Sequence, residues 1–373
     1  MLKKDCVAIV IYRGPFQGRR LGFLLEAIGQ AHDEAEFIWL YPKFDPNTPL
    51  PWFDRFMEER PFIRHHAILD GARSALVPTI RYLRRRYTQQ SRPIYAIGFT
   101  SLWYARALWP KPIVWCIQGI PEERLMHRNK LIDRLSVAAT WRTAQSGPSP
   151  EIIVTVSERM VQFVKRYFPR VACVAAPTCA DLKTFRPPAM PERKYLTYLG
   201  SGAPWQNLGQ LSQIWSALYR ADKSLRFKVV SKDKRAEILK SDIPEEAIKI
   251  TAAEGPSEVA QHLWEAELGF LIRTPDIVNE VSFPTKFGEY VAAGVPIVGT
   301  DVGWDFTQII KQTRCGLLVD WKSEPQTIAQ EILAYRRKIG TNGEIAGACE
   351  QAANLMNKDL WVTRLSDTLR TIA

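Results

Sequence analysis

One stretch, Ser282 to Thr300 (SFPTKFGEYVAAGVPIVGT), constrains the rest of the chain most strongly. Pro284 presets a helical φ at or near a first turn, and Thr285 can cap it. Phe287, Tyr290 and Val291 form a short apolar stripe at helical spacing. Gly294 suits a helix C-terminus, and Pro296 cannot continue a helix. Val295, Ile297 and Val298 then read as a buried parallel strand. The start of such a helix can hold a phosphate on backbone N–H groups. Lys286 falls within one turn of that phosphate, and Glu289, three residues on, shares its face. A cation for a diphosphate and a carboxylate for ribose hydroxyls are what a nucleotide-sugar requires. The plainer alternative is an ordinary buried helix–strand corner.

A chain of 373 residues suits two α/β domains rather than one. No apolar run approaches the roughly 20 residues of a membrane-spanning helix. The run Cys6–Tyr12 behind Lys3 and Lys4 mimics a signal peptide, but no small-residue cleavage site follows it and a helical pattern does. It therefore reads as a first strand. The six cysteines are scattered without metal-type spacing, so buried thiols in a reducing cytoplasm are expected. Charge is unevenly divided. Residues 1–178 hold 26 Lys and Arg against 15 Asp and Glu, whereas residues 179–373 hold 24 of each. The first half thus carries the whole excess. That points either to an anionic partner or to a plain basic surface. Arg73–Tyr87 (RSALVPTIRYLRRRY) is a basic amphipathic segment with Leu76, Ile80, Leu83 and Tyr87 on one side and Arg81, Arg84, Arg85 and Arg86 beside them. Pro78 would break or kink it near its start. It reads either as a surface for anionic lipid or as a solvated helix face.

The Ser282–Thr300 stretch resembles the donor-binding segment of retaining GT-B glycosyltransferases of family 4, the glycosyl transferases group 1. Glu151–Glu158 (EIIVTVSE) resembles that family's strand followed by Ser-Glu, and Pro177–Pro187 (PTCADLKTFRP) its interdomain linker, with Thr178-Cys179 where Asn-Gly is usual. The resemblance implies an α/β GT-B fold: two doubly wound Rossmann-like domains facing a cleft. The expected parts are an acceptor-side domain over 1–188, a nucleotide-sugar domain over 189–355, and a terminal helix over 356–373 that crosses back to the first.

The same resemblance implies transfer of a hexose-like sugar from a nucleotide-sugar to a saccharide or lipid-linked saccharide, with retention, as in cell-surface polysaccharide synthesis. It implies no metal and no cofactor beyond the donor, and its motif does not suit nucleic acid; the scattered cysteines point to the cytoplasm, and the basic first half with Arg73–Tyr87 to a place at the inner face of the membrane. Lys286 and Arg273 are expected to stabilise the leaving diphosphate. Gln118, where the family often has His, is expected to meet the donor sugar. Glu289, Thr285, Pro284, Phe283, Ser282, Asn279, Ser201, Gly202 and Gly18 are expected around the donor, Gly18 with Gly14 as the second choice in its loop. Ser201 and Gln206 stand where the family often has Arg and Lys, so Lys286 and Arg273 must carry more of the charge. The first of the family's paired glutamates is missing, since Val281 holds its place. Three other readings stay open: a non-catalytic GT-B sugar-binding partner; a nucleotide-sugar epimerase, which would need more carboxylates and histidines than this chain offers; and a nucleic-acid binder, which fits the charge but not the motif.

Overall fold

The computed structural model describes all residues except 1–6, 14–17, 42–49, 71–75, 88–92, 128–129, 241, 303–304, 342–343 and 373. The chain forms two compact units. One comprises Met1–Pro177 with Asp359–Ala373, and the other Thr178–Lys358. The chain therefore changes unit at Pro177/Thr178, earlier than residue 188. Residues beyond that point pack within the second unit: Ala180 bridges Asn357, and the Trp264 indole donates to the Phe185 carbonyl at 3.1 Å.

The first unit is built on seven strands, β1 (Val7–Tyr12), β2 (Glu34–Tyr41), β3 (Ile63–Asp70), β4 (Ile94–Ile97), β5 (Ile113–Cys116), β6 (Ile152–Thr155) and β7 (Ala172–Ala175). They run in the order β3-β2-β1-β4-β5-β6-β7, with every pairing parallel. Parallel strands need helical crossovers, which cover both faces and account for the unbroken apolar runs. All six residues of β1 are buried. Leu24, Leu25 and Ile28 of the helix Gly18–His32 pack on this sheet's core with Phe37, Trp39 and Val114. Val362, Leu365 and Leu369 of the last helix, Lys358–Arg370, join the same cluster.

The second unit has six strands, β8 (Tyr195–Leu199), β9 (Phe227–Val230), β10 (Ile248–Thr251), β11 (Ala266–Leu271), β12 (Ile297–Thr300) and β13 (Gly316–Val319). Their order is β10-β9-β8-β11-β12-β13, again all parallel. Strand order reverses between β8 and β11. In an open α/β sheet, ligands bind outside the carboxyl ends of the strands at such a switch point. Among the described residues no helix is long and apolar enough to cross a membrane. The five described cysteines are free thiols, with Cys116, Cys315 and Cys349 buried.

The basic segment folds as a helix, Leu76–Tyr87. Pro78 does not break it, because in a first turn the missing N–H has no intrahelical partner to lose. Leu83 and Tyr87 are buried and Ile80 is half-buried, so this part of the apolar side is spent inside the unit. Arg86 is spent too. Glu36, in the middle of β2 and 4% exposed, accepts from Arg64 at 3.0 Å, Arg86 at 3.1 Å and the Tyr87 hydroxyl at 2.9 Å. A carboxylate buried on a central strand is tolerable only when paired in this way. Glu36→Ala is expected to cost about 2 kcal/mol, because each bond to a charged group is worth roughly 1.5–3 kcal/mol but both guanidinium groups stay partly solvated. A fall in Tm of about 4–8 °C would register it, and an unchanged Tm would show that the cluster contributes nothing.

Candidate active site

The second unit gathers its chemistry at the β8/β11 switch point. Gly200, Ser201 and Gly202 leave the end of β8, and Arg273 lies two residues past β11. The helix Thr285–Ala292 precedes β12. Pro284 holds the N-cap position with an extended ψ of 118°, and Thr285 is the first helical residue rather than the cap. Gly294 closes the helix at φ +65°, a left-handed conformation that glycine adopts without steric cost. A pocket of about 820 Å³ lined by Arg186, Pro187, Val291, Gly294 and Asn354 lies at this far end of the helix and contains none of the groups below.

Lys286 points into the unit. It is 8% exposed, and its Nζ donates to Gln206 Oε1 at 2.7 Å and to the Tyr198 hydroxyl at 3.2 Å. The Tyr198 hydroxyl in turn donates to the Ser201 carbonyl at 2.6 Å. The ammonium also sits over the Tyr198 ring, 4.4 Å from its centroid. Both hydrogen-bond partners are neutral oxygens. Burial, and after it the charge of Arg273, hold the amine well below the ordinary lysine value. Gly200, at φ +138°, is what admits the side chain: a Cβ there would lie 2.3 Å from Lys286 Nζ.

Arg273 is equally fixed. Its backbone N–H donates to Thr300 Oγ1 at 2.8 Å, and that hydroxyl donates back to the Arg273 carbonyl at 2.7 Å. Its Nη1 reaches Asn279 Oδ1 at 3.1 Å and Ser282 Oγ at 3.2 Å. Asn279 is fully buried, and its amide nitrogen donates to the Thr274 carbonyl at 3.1 Å and to Asp276 at 2.8 Å. Asn279 and Ser282, expected at the donor, both accept from Arg273 here. Phe283, expected beside them, is 3% exposed and edge-on to Phe287 at 5.9 Å. Glu289 lies one turn after Lys286 and is 3% exposed.

The Gly202 N–H is already taken by Asp233 Oδ2 at 2.9 Å. Asp233 lies far below the usual carboxylate range, chiefly because the Arg235 side chain bonds to it. Gly202 is thus a site of close approach to Arg235, where a Cβ would meet that residue's Cβ at 2.3 Å.

Two contributors were not singled out from the sequence. Tyr198 supports Lys286, for which Gly200 makes room. Tyr290, counted only as apolar, accepts from the Leu199 N–H at 2.9 Å and donates to the Thr197 carbonyl at 3.2 Å, tying the helix to β8. Tyr198 lies in a strand whose last four residues are all buried, and no local signal names its partner.

In the first unit, Gln118 follows β5 and is half-buried. Glu123 leans over Gly119, and Glu122 accepts from the Trp141 indole at 2.9 Å. Gly18 is the first residue of its helix, whereas Gly14 and the rest of that loop lie outside the described residues.

A comparison with curated protein sequences finds no match. Residues 193–337 match the family described as Glycosyl transferases group 1. Among solved structures, sucrose-phosphate synthase from Thermosynechococcus elongatus is similar at a TM-score of 0.74 and 14% identity, over 98% of this chain and 99% of that one. HepE from Anabaena, in complex with UDP-glucose, is similar at 0.72 and 13%, over 98% and 99%. A glycosyltransferase from Rickettsia africae ESF-5 is similar at 0.70 and 13%, over 99% and 98%. At such identities the likeness speaks for the fold. The chain has the GT-B fold, and within its second unit residues 193–337 match the glycosyl transferases group 1 model.

Proposed function

We propose that the protein transfers a sugar from a nucleotide-sugar, held by the second unit, to a saccharide or lipid-linked saccharide received by the first, with retention at the anomeric carbon. The observation that carries this reading is the convergence of two buried basic side chains, Lys286 and Arg273, from separate segments onto the switch point of the second sheet. A diphosphate leaving group accumulates negative charge as the glycosidic bond breaks. Cations fixed beforehand in a water-poor site stabilise that charge without reorganising. In this reading the two side chains do the work a divalent ion would otherwise do. Glu289 accepts from the ribose hydroxyls, and Gln118 meets the transferred sugar. The Anabaena HepE structures hold UDP and UDP-glucose, so uridine donors are the first to try. The charge of the first half and the group 1 domain favour a cell-surface saccharide as acceptor.

A non-catalytic sugar-binding partner is the second reading, because Ser201 and Gln206 bring no charge of their own to this site. Titration with UDP and a panel of nucleotide-sugars by calorimetry tests both. The transferase reading expects binding and slow release of free sugar, whereas the partner reading expects binding without turnover. Glu289→Ala should weaken nucleotide binding by at least about tenfold, since two hydroxyls lose a charged acceptor. Unaltered affinity in a folded variant would remove Glu289 from the site.

A further inference from the structure

The helix Leu131–Gln145 of the first unit is inverted relative to an ordinary surface helix. Val137, Trp141 and Ala144 face inward and are buried, with Trp141 stacked on Tyr167 at 3.9 Å. Its outward face starts with Leu131, Ile132 and Leu135, which are 73%, 72% and 61% exposed. Ala138 and Ala139 continue that face, also exposed. Helical spacing places Leu131, Leu135, Ala138 and Arg142 along one line, with Ile132 and Ala139 beside it. A helix closing a soluble domain carries polar residues there.

The charge along this segment is mostly basic, and Glu122, just before it, is engaged by the inward-facing Trp141 indole. From Arg124 to Gln145 the chain has five Lys or Arg and a single Asp. That residue, Asp133, turns its carboxylate back to the Lys130 backbone N–H at 3.3 Å. Arg124, Lys130, Arg134 and Arg142 are exposed. The helix joins β5 to β6, so its apolar start lies at the carboxyl edge of the first sheet, the edge where Gln118 stands. The basic helix Leu76–Tyr87 offers a contrast: it presents Arg81, Arg84 and Arg85 outward and keeps Leu83 and Tyr87 inside.

We propose that the outward face of Leu131–Gln145 docks the first unit onto an anionic lipid surface. Leu131, Ile132 and Leu135 enter the boundary of the acyl chains, and Lys130, Arg134, Arg124 and Arg142 meet the headgroup phosphates. A second copy of the chain fits less well, because pairing two such faces sets basic rim against basic rim. An anionic bilayer complements both the apolar face and its rim. The docking holds whatever the donor sugar is.

The full chain is sedimented with vesicles of phosphatidylcholine alone and of phosphatidylcholine mixed with phosphatidylglycerol. Binding to the mixed vesicles only is the expected result. The triple variant Leu131→Ser, Ile132→Ser, Leu135→Ser alters exposed side chains alone, so its Tm and UDP binding should match those of the parent. Its affinity for the mixed vesicles should fall at least about tenfold, while Arg81→Gln with Arg85→Gln leaves it unchanged. Retained binding in the triple variant overturns the proposal, as does binding lost in the arginine variant alone, or no vesicle binding by the parent. Analytical ultracentrifugation showing a parent dimer that the triple variant turns into monomer would assign the face to a second copy, and overturns it too.

Discussion

Lys286→Met is expected to lower kcat by about 100–1000-fold, the range found when one preorganised group at a developing oxyanion is removed, while Tm moves by only a few degrees. Methionine matches the length of the lysine stem. It relieves the cost of burying an amine but leaves Gln206 Oε1 without its donor, and these two effects oppose each other. A collapsed Tm with normal turnover per folded molecule would make Lys286 a structural residue. The reciprocal exchange, Lys286→Gln with Gln206→Lys, keeps an amine and an amide at the same place and should recover part of the lost kcat. The titration has a definite sign. In the empty site burial and Arg273 depress the amine's pKa, and an incoming diphosphate raises it. Donor binding then takes up a proton between the two values, so affinity rises as pH falls through that interval. The other titratable groups beside the amine are the guanidinium of Arg273, charged throughout, and Tyr198, whose phenol burial pushes up. Calorimetry of UDP binding across pH should lose this slope in Lys286→Met.

The second large effect is expected at Gly200. Gly200→Ala places a Cβ where Lys286 Nζ lies and asks an L-residue to adopt φ +138°. Such a backbone conformation costs about 1–3 kcal/mol, and the amine must leave Gln206 and Tyr198. Turnover should therefore fall about as far as in Lys286→Met. The double variant should be hardly worse than either single one, since both remove the same group. Losses that multiply would mean that Gly200 acts independently of Lys286.

Much of this site could be read from the chain. Ser282–Thr300 displays its own turn, helix and strand, because each follows from contiguous residues: Pro284, the Phe287–Val291 stripe, Gly294 and Val295–Val298. The doubly wound sheets follow from the same local patterns. What could not be read is which polar partners meet across distance. Lys286 and Gln206 are 80 residues apart, and Arg273 and Thr300 are 27 apart. Periodicity reports which face is apolar and is silent on the partner it finds. The same gap hides the bonds from Arg273 to Asn279 and Ser282, and the engagement of Gly202 by Asp233. It also explains the Leu76–Tyr87 helix, whose arginines read as one surface until Glu36 claims Arg86. The apolar residues of Leu131–Gln145 count toward a core in any composition, and only the fold turns them outward.

The last helix carries a consequence for how the chain comes into being. Val362, Leu365 and Leu369 complete the apolar cluster of a unit whose other residues precede Thr178. During synthesis the second unit, one uninterrupted segment, has every strand it needs before the first has its closing helix. A nascent chain released at Lys358 would carry a finished sheet behind an unsealed one, with part of the first unit's apolar cluster bare along the missing seat. The half synthesised first is thus the last to be sealed, and a chaperone that shields apolar surface would engage it over that interval.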